Sequence, residues 1–551
     1  MQELQAALKG ACQKLFNVDI DPELSRPEEK FGDWATNAAL QLGKQLSKNP
    51  REVAVALASQ LHGTPGVADV QIAGPGFINL KLTDEKLAQM ALAATDLPRP
   101  LAGQEILVEF GDPNPFKEMH IGHLYSYIVG DGISSLLEAN GAEVKRLSYH
   151  GDVGLHVAKA IYGLREIDKE QSEPLGAAAI EEENFLGKAY TYGADKYQND
   201  PKAKDEIDAI NLHIYQKDDA TINELHEKGG KLSFSYFDNI LELLSIKSDK
   251  RYLESQTIAA GTELVKKNIG PVFKESQGAI VFEGEKAGLH TRVFITSAGL
   301  PTYETKDLGL TQLKNQDFPN AVRSIIITAN EQSDYFKVML AALAEINASL
   351  TQKTTHLAHG FLSLSSGKMS SRTGNVYPAM KLLLEVKDAV HEQYPDSPAR
   401  KEVTFAAVKY AFLKHRLGSD IVLDIKDSIS LEGNSGPYLQ YAHARARSIL
   451  SKADLQGPSL QTVRELEADE RSLARKIGEY PEAVAKASGE LMPHHICTYL
   501  YELAQAFNRF YEANRVIGHE RQQARLQLVD AYASVLKHGL GLLNIAAPEH
   551  M

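Results

Sequence analysis

The stretch Ile106-Leu107-Val108-Glu109-Phe110-Gly111-Asp112-Pro113-Asn114-Pro115-Phe116-Lys117-Glu118-Met119-His120-Ile121-Gly122-His123 decides the fold. Its first five residues are the short apolar run of a buried parallel strand, broken only by Glu109 near the C-terminal end. Gly111 to Pro115 ends that run. Apolar residues then recur at Ile121, Leu124, Ile128, Ile133, Leu136 and Leu137, a helical spacing that stops at Asn140-Gly141. A second strand, Val144 to Tyr149, closes at Gly151-Asp152-Val153-Gly154. Strand, helix, strand is a βαβ unit, with a right-handed crossover and loops gathered at the C-terminal edge of the sheet.

To the N-terminal side, residues 1–98 read as a separate α+β unit. Helical spacing at Leu4, Leu8, Cys12 and Leu15 and again at Val53, Val55, Leu57 and Leu61 precedes two alternating runs, Val70 to Ile72 and Ile78 to Leu82, around Gly74-Pro75-Gly76. Asp96 to Pro100 reads as a linker. Residues 104–385 form the predicted Rossmann-like domain, with a charged helical insertion over about 165–250 and returning strands at Val293 to Ile295 and Ile325 to Ile327. Residues 386–551 are expected to be all helical, a C-terminal bundle whose clearest amphipathic runs are Tyr438 to Leu450, Leu500 to Arg515 and Leu526 to Leu543.

The bulk numbers narrow the function. The chain has 551 residues, net charge −13, 43% hydrophobic and 24% charged content. That suits a soluble protein of several domains and argues against a general coat for DNA or RNA, which would be basic. A local basic patch remains compatible with an acidic body. No basic start followed by an apolar run and no bilayer-length apolar stretch occurs, so the cytoplasm is expected and a membrane partner is not. Cys12 and Cys497 alone cannot build a disulfide framework or a multi-cysteine zinc site, and no metal-ligand set is expected.

His120 and His123 stand three apart at the start of the predicted helix, on one face, where free amides and the dipole favour an anion. Gly122 leaves room for close approach. A second segment, Gly367-Lys368-Met369-Ser370-Ser371-Arg372, lies 245 residues beyond His123 and offers an ammonium and two hydroxyls. Imidazoles on one side and Lys368, Ser370 and Ser371 on the other suit a triphosphate, and the pair together points to ATP, as its Mg2+ complex, cut between the α- and β-phosphates. Read alone, each segment also fits a half-buried helix or a solvated loop. Nearby, Glu109, Asp307, Tyr303, Asn114 and Gln332 supply two carboxylates, a phenol and two amides, a set able to grip a cationic amino acid with a planar fork of donors. A surface charge for Asp307 and a structural ion pair for Glu109 are the plainer readings.

These residues resemble a known family. The two motifs are similar to the signatures of class I aminoacyl-tRNA synthetases, and the flanks resemble the arginyl branch: Val108 to Asn114, Tyr149 to Gly154, Thr302 to Asp307, Gln440 to Arg445, Gly74 to Asn79 and Ala546 to Glu549. The resemblance spans nearly the whole chain. It implies ligation of arginine to tRNA(Arg) through an arginyl-adenylate, with His120, His123 and Lys368 catalytic and Met369 beside Lys368 at the ATP site. It implies that Glu109, Tyr303 and Asp307 hold the guanidinium, Asn114 and Gln332 the α-amino and carboxylate groups, and that Gly360 and Phe361 lie near the adenine. The N-terminal unit would contact the tRNA elbow, and the C-terminal helices the anticodon, with Tyr441, Arg445 and Arg509 as candidates. A monomer is expected.

Three positions depart from the family pattern: Asp112 where serine is usual, Val153 where tryptophan is common, and Lys368 where many members lack a lysine. The first adds a carboxylate near the nucleotide, and the last leaves open how strictly tRNA is needed for activation. Another class I synthetase, a nucleotidylyltransferase using His-x-Gly-His and a non-catalytic RNA-binding protein are the competing readings.

Overall fold

The structure, a computed structural model, describes residues 2–170, 185–365, 377–453 and 465–551. At its centre lies a five-stranded parallel sheet built from β4 (Glu105–Glu109), β5 (Glu143–His150), β6 (Lys250–Leu253), β10 (Ala321–Ala329) and β11 (Thr354–His359), numbered by their place among the thirteen strands of the described residues. Their spatial order is β11-β10-β4-β5-β6. The chain therefore winds one way from β4 through β5 to β6 and the other way from β10 to β11. The strand order reverses between β4 and β10, and a crevice opens there at the C-terminal edge. Register confirms it: Glu109, the last residue of β4, pairs with Ile326 and Leu147.

Helices cover both faces. Ile121–Ala139 follows β4 and buries Leu124, Ile128, Ile133 and Leu136, the positions expected from the spacing. The insertion between β5 and β6 is helical over Leu155–Glu170, Phe185–Asn199, Pro201–Gln216 and Ala220–Leu243. Helix Tyr303–Asp317 precedes β10, and Ser333–Ile346 follows it.

The N-terminal unit holds β1 (Trp34–Thr36), β2 (Val67–Ala73) and β3 (Phe77–Leu82) in an antiparallel sheet of order β1-β3-β2. Sequence spacing gave the two longer strands and not β1. A small antiparallel sheet, β7 (Lys274–Ser276), β8 (Ala279–Phe282) and β9 (Arg292–Ile295), interrupts the parallel-sheet unit before Tyr303. Among its described residues the C-terminal region is helical, as expected, with one exception. β13 (Ile421–Leu423) pairs in parallel with β12 (Leu362–Leu364). Three residues are too few to show a period of two against a helical background.

Candidate active site

A cavity of about 480 Å3 fills the crevice where the strand order reverses. β4 brings Glu109 to its wall, the loop after β4 brings Asp112 and Asn114, and the following helix brings His120, Gly122 and His123. Tyr303 and Asp307 come from the first turns of helix Tyr303–Asp317, and Gln332 from the turn after β10. Nine residues singled out from the sequence thus meet in one place, though they span more than two hundred positions of the chain.

The loop is pinned where it must turn. Asp112 and Phe116 take φ of 52° and 65°. Oδ1 of Asp112 accepts the Tyr149 amide at 2.7 Å, and Oδ1 of Asn114 accepts the Gly151 amide at 3.2 Å. The Phe116 amide donates to Oγ of Ser233, in the insertion, at 2.8 Å. Asp112 is therefore an anchor for the end of β5. Burial, and then the Glu109 carboxylate, push its carboxyl well above the usual range, which favours the neutral form over the added negative charge expected from the sequence.

His120 is the N-cap of helix Ile121–Ala139. Its Nδ1 accepts the Gly122 amide at 3.1 Å, and Nδ1 of His123 lies 3.4 Å from the His120 amide. The rings stack, centroids 3.7 Å apart at 27°. With both Nδ1 atoms accepting, the proton of each neutral ring sits on Nε2, so the pair presents two N–H donors. Burial lowers His120 to about 4 and His123 well below its ordinary value, so neither needs a charge to do this. A Cβ on Gly122 would lie 3.0 Å from the His120 ring, so this glycine makes room for an imidazole. The helix start is fixed from the far side too. The Ile121 amide donates to Tyr377 O at 3.0 Å and the Ala379 amide to Met119 O at 2.8 Å.

The acidic end is more internally paired than the sequence suggests. The ammonium of Lys314, two turns beyond Asp307, contacts Oε2 of Glu109, and both side chains are buried. Glu109 is thus matched within the protein, as its plainer reading anticipated. Lys306 likewise contacts buried Glu254. Asp307 has no such cation among the described residues. It accepts a hydrogen bond from the Tyr335 hydroxyl, and burial raises it to about 7. Tyr303 is 63% exposed and stands at the mouth.

Some candidates lie elsewhere. Gly360 and Phe361 follow His359, which lines the cavity, but do not line it themselves. A Cβ on Gly360 would strike the Ser419 carbonyl, and the Phe361 amide donates to Asp420 at 2.8 Å. Lys368, Met369, Ser370 and Ser371 fall outside the described residues. Tyr441, Arg445 and Arg509 sit on helices Gly436–Ser451 and His494–Ala513. Tyr441 is exposed, and the Arg445 guanidinium lies 4.6 Å over the Tyr511 ring.

Residues 87–424 match the family model for the class I (R) tRNA synthetase catalytic domain. Residues 2–82 match the arginyl tRNA synthetase N-terminal domain and residues 439–551 the DALR anticodon binding domain. The chain belongs to the arginyl-tRNA synthetase family. Relatives named arginine–tRNA ligase include that of Shewanella loihica, 31% identical across 100% of this chain and 99% of the relative, and that of Shewanella sediminis, 32% identical across 96% and 95%. The solved structure of the Thermus thermophilus arginyl-tRNA synthetase is similar at a TM-score of 0.84, with 27% identity and both chains covered in full. The Plasmodium falciparum enzyme, at 20% identity and TM-score 0.79, shares the fold.

Sequence reasoning missed Glu254, Tyr149, Tyr335 and His359 as parts of this cavity. Tyr335 carried a usable signal, because it stands three residues after Gln332, one helical turn on. Glu254 had none, since its place depends on β6 lying beside β5.

Proposed function

We propose that this cavity ligates arginine to tRNA(Arg) in two steps, with ATP as the energy source. The arginine carboxylate attacks the α-phosphorus, giving arginyl-adenylate and pyrophosphate. The terminal adenosine of the tRNA then attacks the adenylate carbonyl and releases AMP. The observation that carries this reading is the single crevice holding both the stacked His120–His123 pair and the recessed Asp307. Membership of the family supplies the same activity.

In this reading the Nε2–H groups of His120 and His123 hold phosphate oxygens as charge develops. Lys368, Met369, Ser370 and Ser371, which fall outside the described residues, are assigned to the triphosphate by their chemistry, an ammonium and two hydroxyls suited to its oxygens. Gly122 serves through His120, and Gly360 and Phe361 border the adenine through their neighbour His359. Asp307, with Glu109 and Tyr303, receives the guanidinium, while Asn114 and Gln332 hold the α-amino and carboxylate groups. Mg2+ arrives with ATP as part of the substrate; among the described residues no group of acidic or imidazole side chains is arranged to hold a metal. The work is positioning and charge stabilisation, with little proton transfer asked of the protein.

We also propose a division into 1–98, 104–385 and 386–551, with the first unit at the tRNA elbow and Tyr441, Arg445 and Arg509 at the anticodon. The enzyme acts as a cytoplasmic monomer. Aminoacylation with purified tRNA across all twenty amino acids tests the function: arginine alone is charged. Charging of another amino acid, or full activity after removal of residues 436–551, overturns it.

A further inference from the structure

We infer that Tyr335 is a positioning residue for arginine selection: its hydroxyl, donated to Oδ2 of Asp307, fixes that carboxylate as an acceptor and leaves the other oxygen for the guanidinium. This rests on the reading of Asp307 given above.

Asp307 faces a crowd of acids. Glu109 approaches from β4, Asp112 from the loop, Glu254 from the helix after β6, and the Tyr149 phenol from β5. Lys314, on its own helix, is the cation nearby, and its ammonium is in contact with Glu109. A carboxylate so placed needs a partner to stay charged. A lysine or arginine at position 335 would supply one, but it would also fill the seat meant for the substrate's cation. A phenol solves both problems. It donates one hydrogen bond, adds no charge, and leaves the net negative charge for a ligand.

The phenol is held firmly. The Tyr335 ring meets Phe336 edge-on, 5.0 Å away at 84°, and Phe336 stacks on His356 at 4.1 Å. The Arg292 guanidinium lies 5.9 Å over the Tyr335 ring and is itself tied to Glu304 at 3.0 Å. Burial pushes Asp307 up to about 7, and the Tyr335 hydrogen bond acts in the opposite direction. Losing that bond sends the carboxyl higher, into its neutral form at physiological pH.

The test is Tyr335→Phe in the full chain, which keeps the ring and removes the donor. The KM for arginine is measured from pH 6 to pH 9 in tRNA-supported ATP–pyrophosphate exchange, with Asp307→Asn alongside. The expected result is a KM for arginine about fivefold higher at pH 7, with its pH dependence displaced upward by about one unit. The KM for ATP and the kcat stay within about twofold. An unchanged KM, or a rise equal at every pH, overturns the role of Tyr335 if Asp307→Asn still raises the KM for arginine. If Asp307→Asn leaves that KM unchanged, the reading of Asp307 fails first, and this inference with it.

Discussion

A histidine can serve a phosphate as a cation or as a neutral donor, and the two differ in their pH dependence. Here burial selects the neutral form. His120 is lowered to about 4 and His123 well below its ordinary value, so neither becomes charged between about pH 5.5 and about pH 8.5. The acid side of the rate profile then belongs to Asp307. Below about 7 its carboxyl takes up a proton and loses its grip on a guanidinium, so at low arginine the rate rises as pH passes upward through that value. At saturating arginine the profile flattens. Because Nδ1 of His120 is occupied by the Gly122 amide and Nε2 carries the donor, His120→Gln, whose amide N–H reaches toward the Nε2 position, should retain far more activity than His120→Ala. The alanine variant is expected to lose about 10²–10³ in kcat. Equal losses in the two variants would deny the donor role. Asp307 also makes a stability prediction. Its carboxyl is raised in the folded state, so folding holds a proton that the unfolded chain has released between about pH 4 and pH 7. The cost is absent below that window and complete above it. Asp307→Asn should therefore stabilise the arginine-free protein by about 4 kcal/mol at pH 8 and hardly at all at pH 4, as read by urea unfolding at the two pH values.

At the scale of elements, the pairing of β4 with helix Tyr303–Asp317 shows both what the sequence can reveal and where it stops. The βαβ unit was readable because strand and helix have different periods and Gly-Pro and Asn-Gly punctuate them. Tyr303 and Asp307 were readable as neighbours because four residues is one helical turn. Lys314 lies on the same stripe, seven residues beyond Asp307, yet nothing local says that this stripe faces Glu109, 205 positions away. That contact is a product of tertiary packing, as is the entry of Glu254 beside Lys306. The pair has a measurable consequence. Glu109 is 3% exposed, so Lys314→Met strands a charge in the interior and should destabilise the protein by about 3–5 kcal/mol. Adding Glu109→Gln removes the stranded charge and should recover much of that loss, since a buried ion pair replaced as a unit is often close to neutral. Chemical unfolding of the three variants reads this directly. A double variant no better than Lys314→Met would mean that packing of the lysine stem, not its charge, is what matters. The arginine KM of the double variant then tells how much Glu109 itself holds the ligand.

Across the whole molecule, the N-terminal unit is not left hanging on its linker. Arg471, on helix Ala468–Gly478, places Nη2 2.5 Å from Oδ2 of Asp33 and 3.1 Å from Leu82 O, while Nη1 contacts Asp84. Oδ2 of Asp33 also accepts the Leu82 amide at 2.7 Å, so one buried carboxylate ties the end of β3 to the C-terminal helices. Arg26 forks Glu482 at 3.1 and 3.2 Å and lies 3.7 Å over the Trp34 ring. If the first unit and the last helices each hold part of one tRNA, this clamp sets the distance between the two contacts, and the second contact forms at high effective concentration. Loosening the clamp should then weaken tRNA binding without touching the arginine pocket. Arg471→Met keeps the aliphatic stem and removes the fork. It is expected to raise the KM for tRNA about tenfold while leaving the KM for arginine and the kcat at saturating tRNA within about twofold. Deleting residues 1–98 should raise the tRNA KM at least as far, and Arg471→Met should add nothing in that background, because the clamp no longer has a partner. A tRNA KM that Arg471→Met leaves alone, or raises as much in the truncated chain as in the full one, would show that the two ends of the molecule engage tRNA independently.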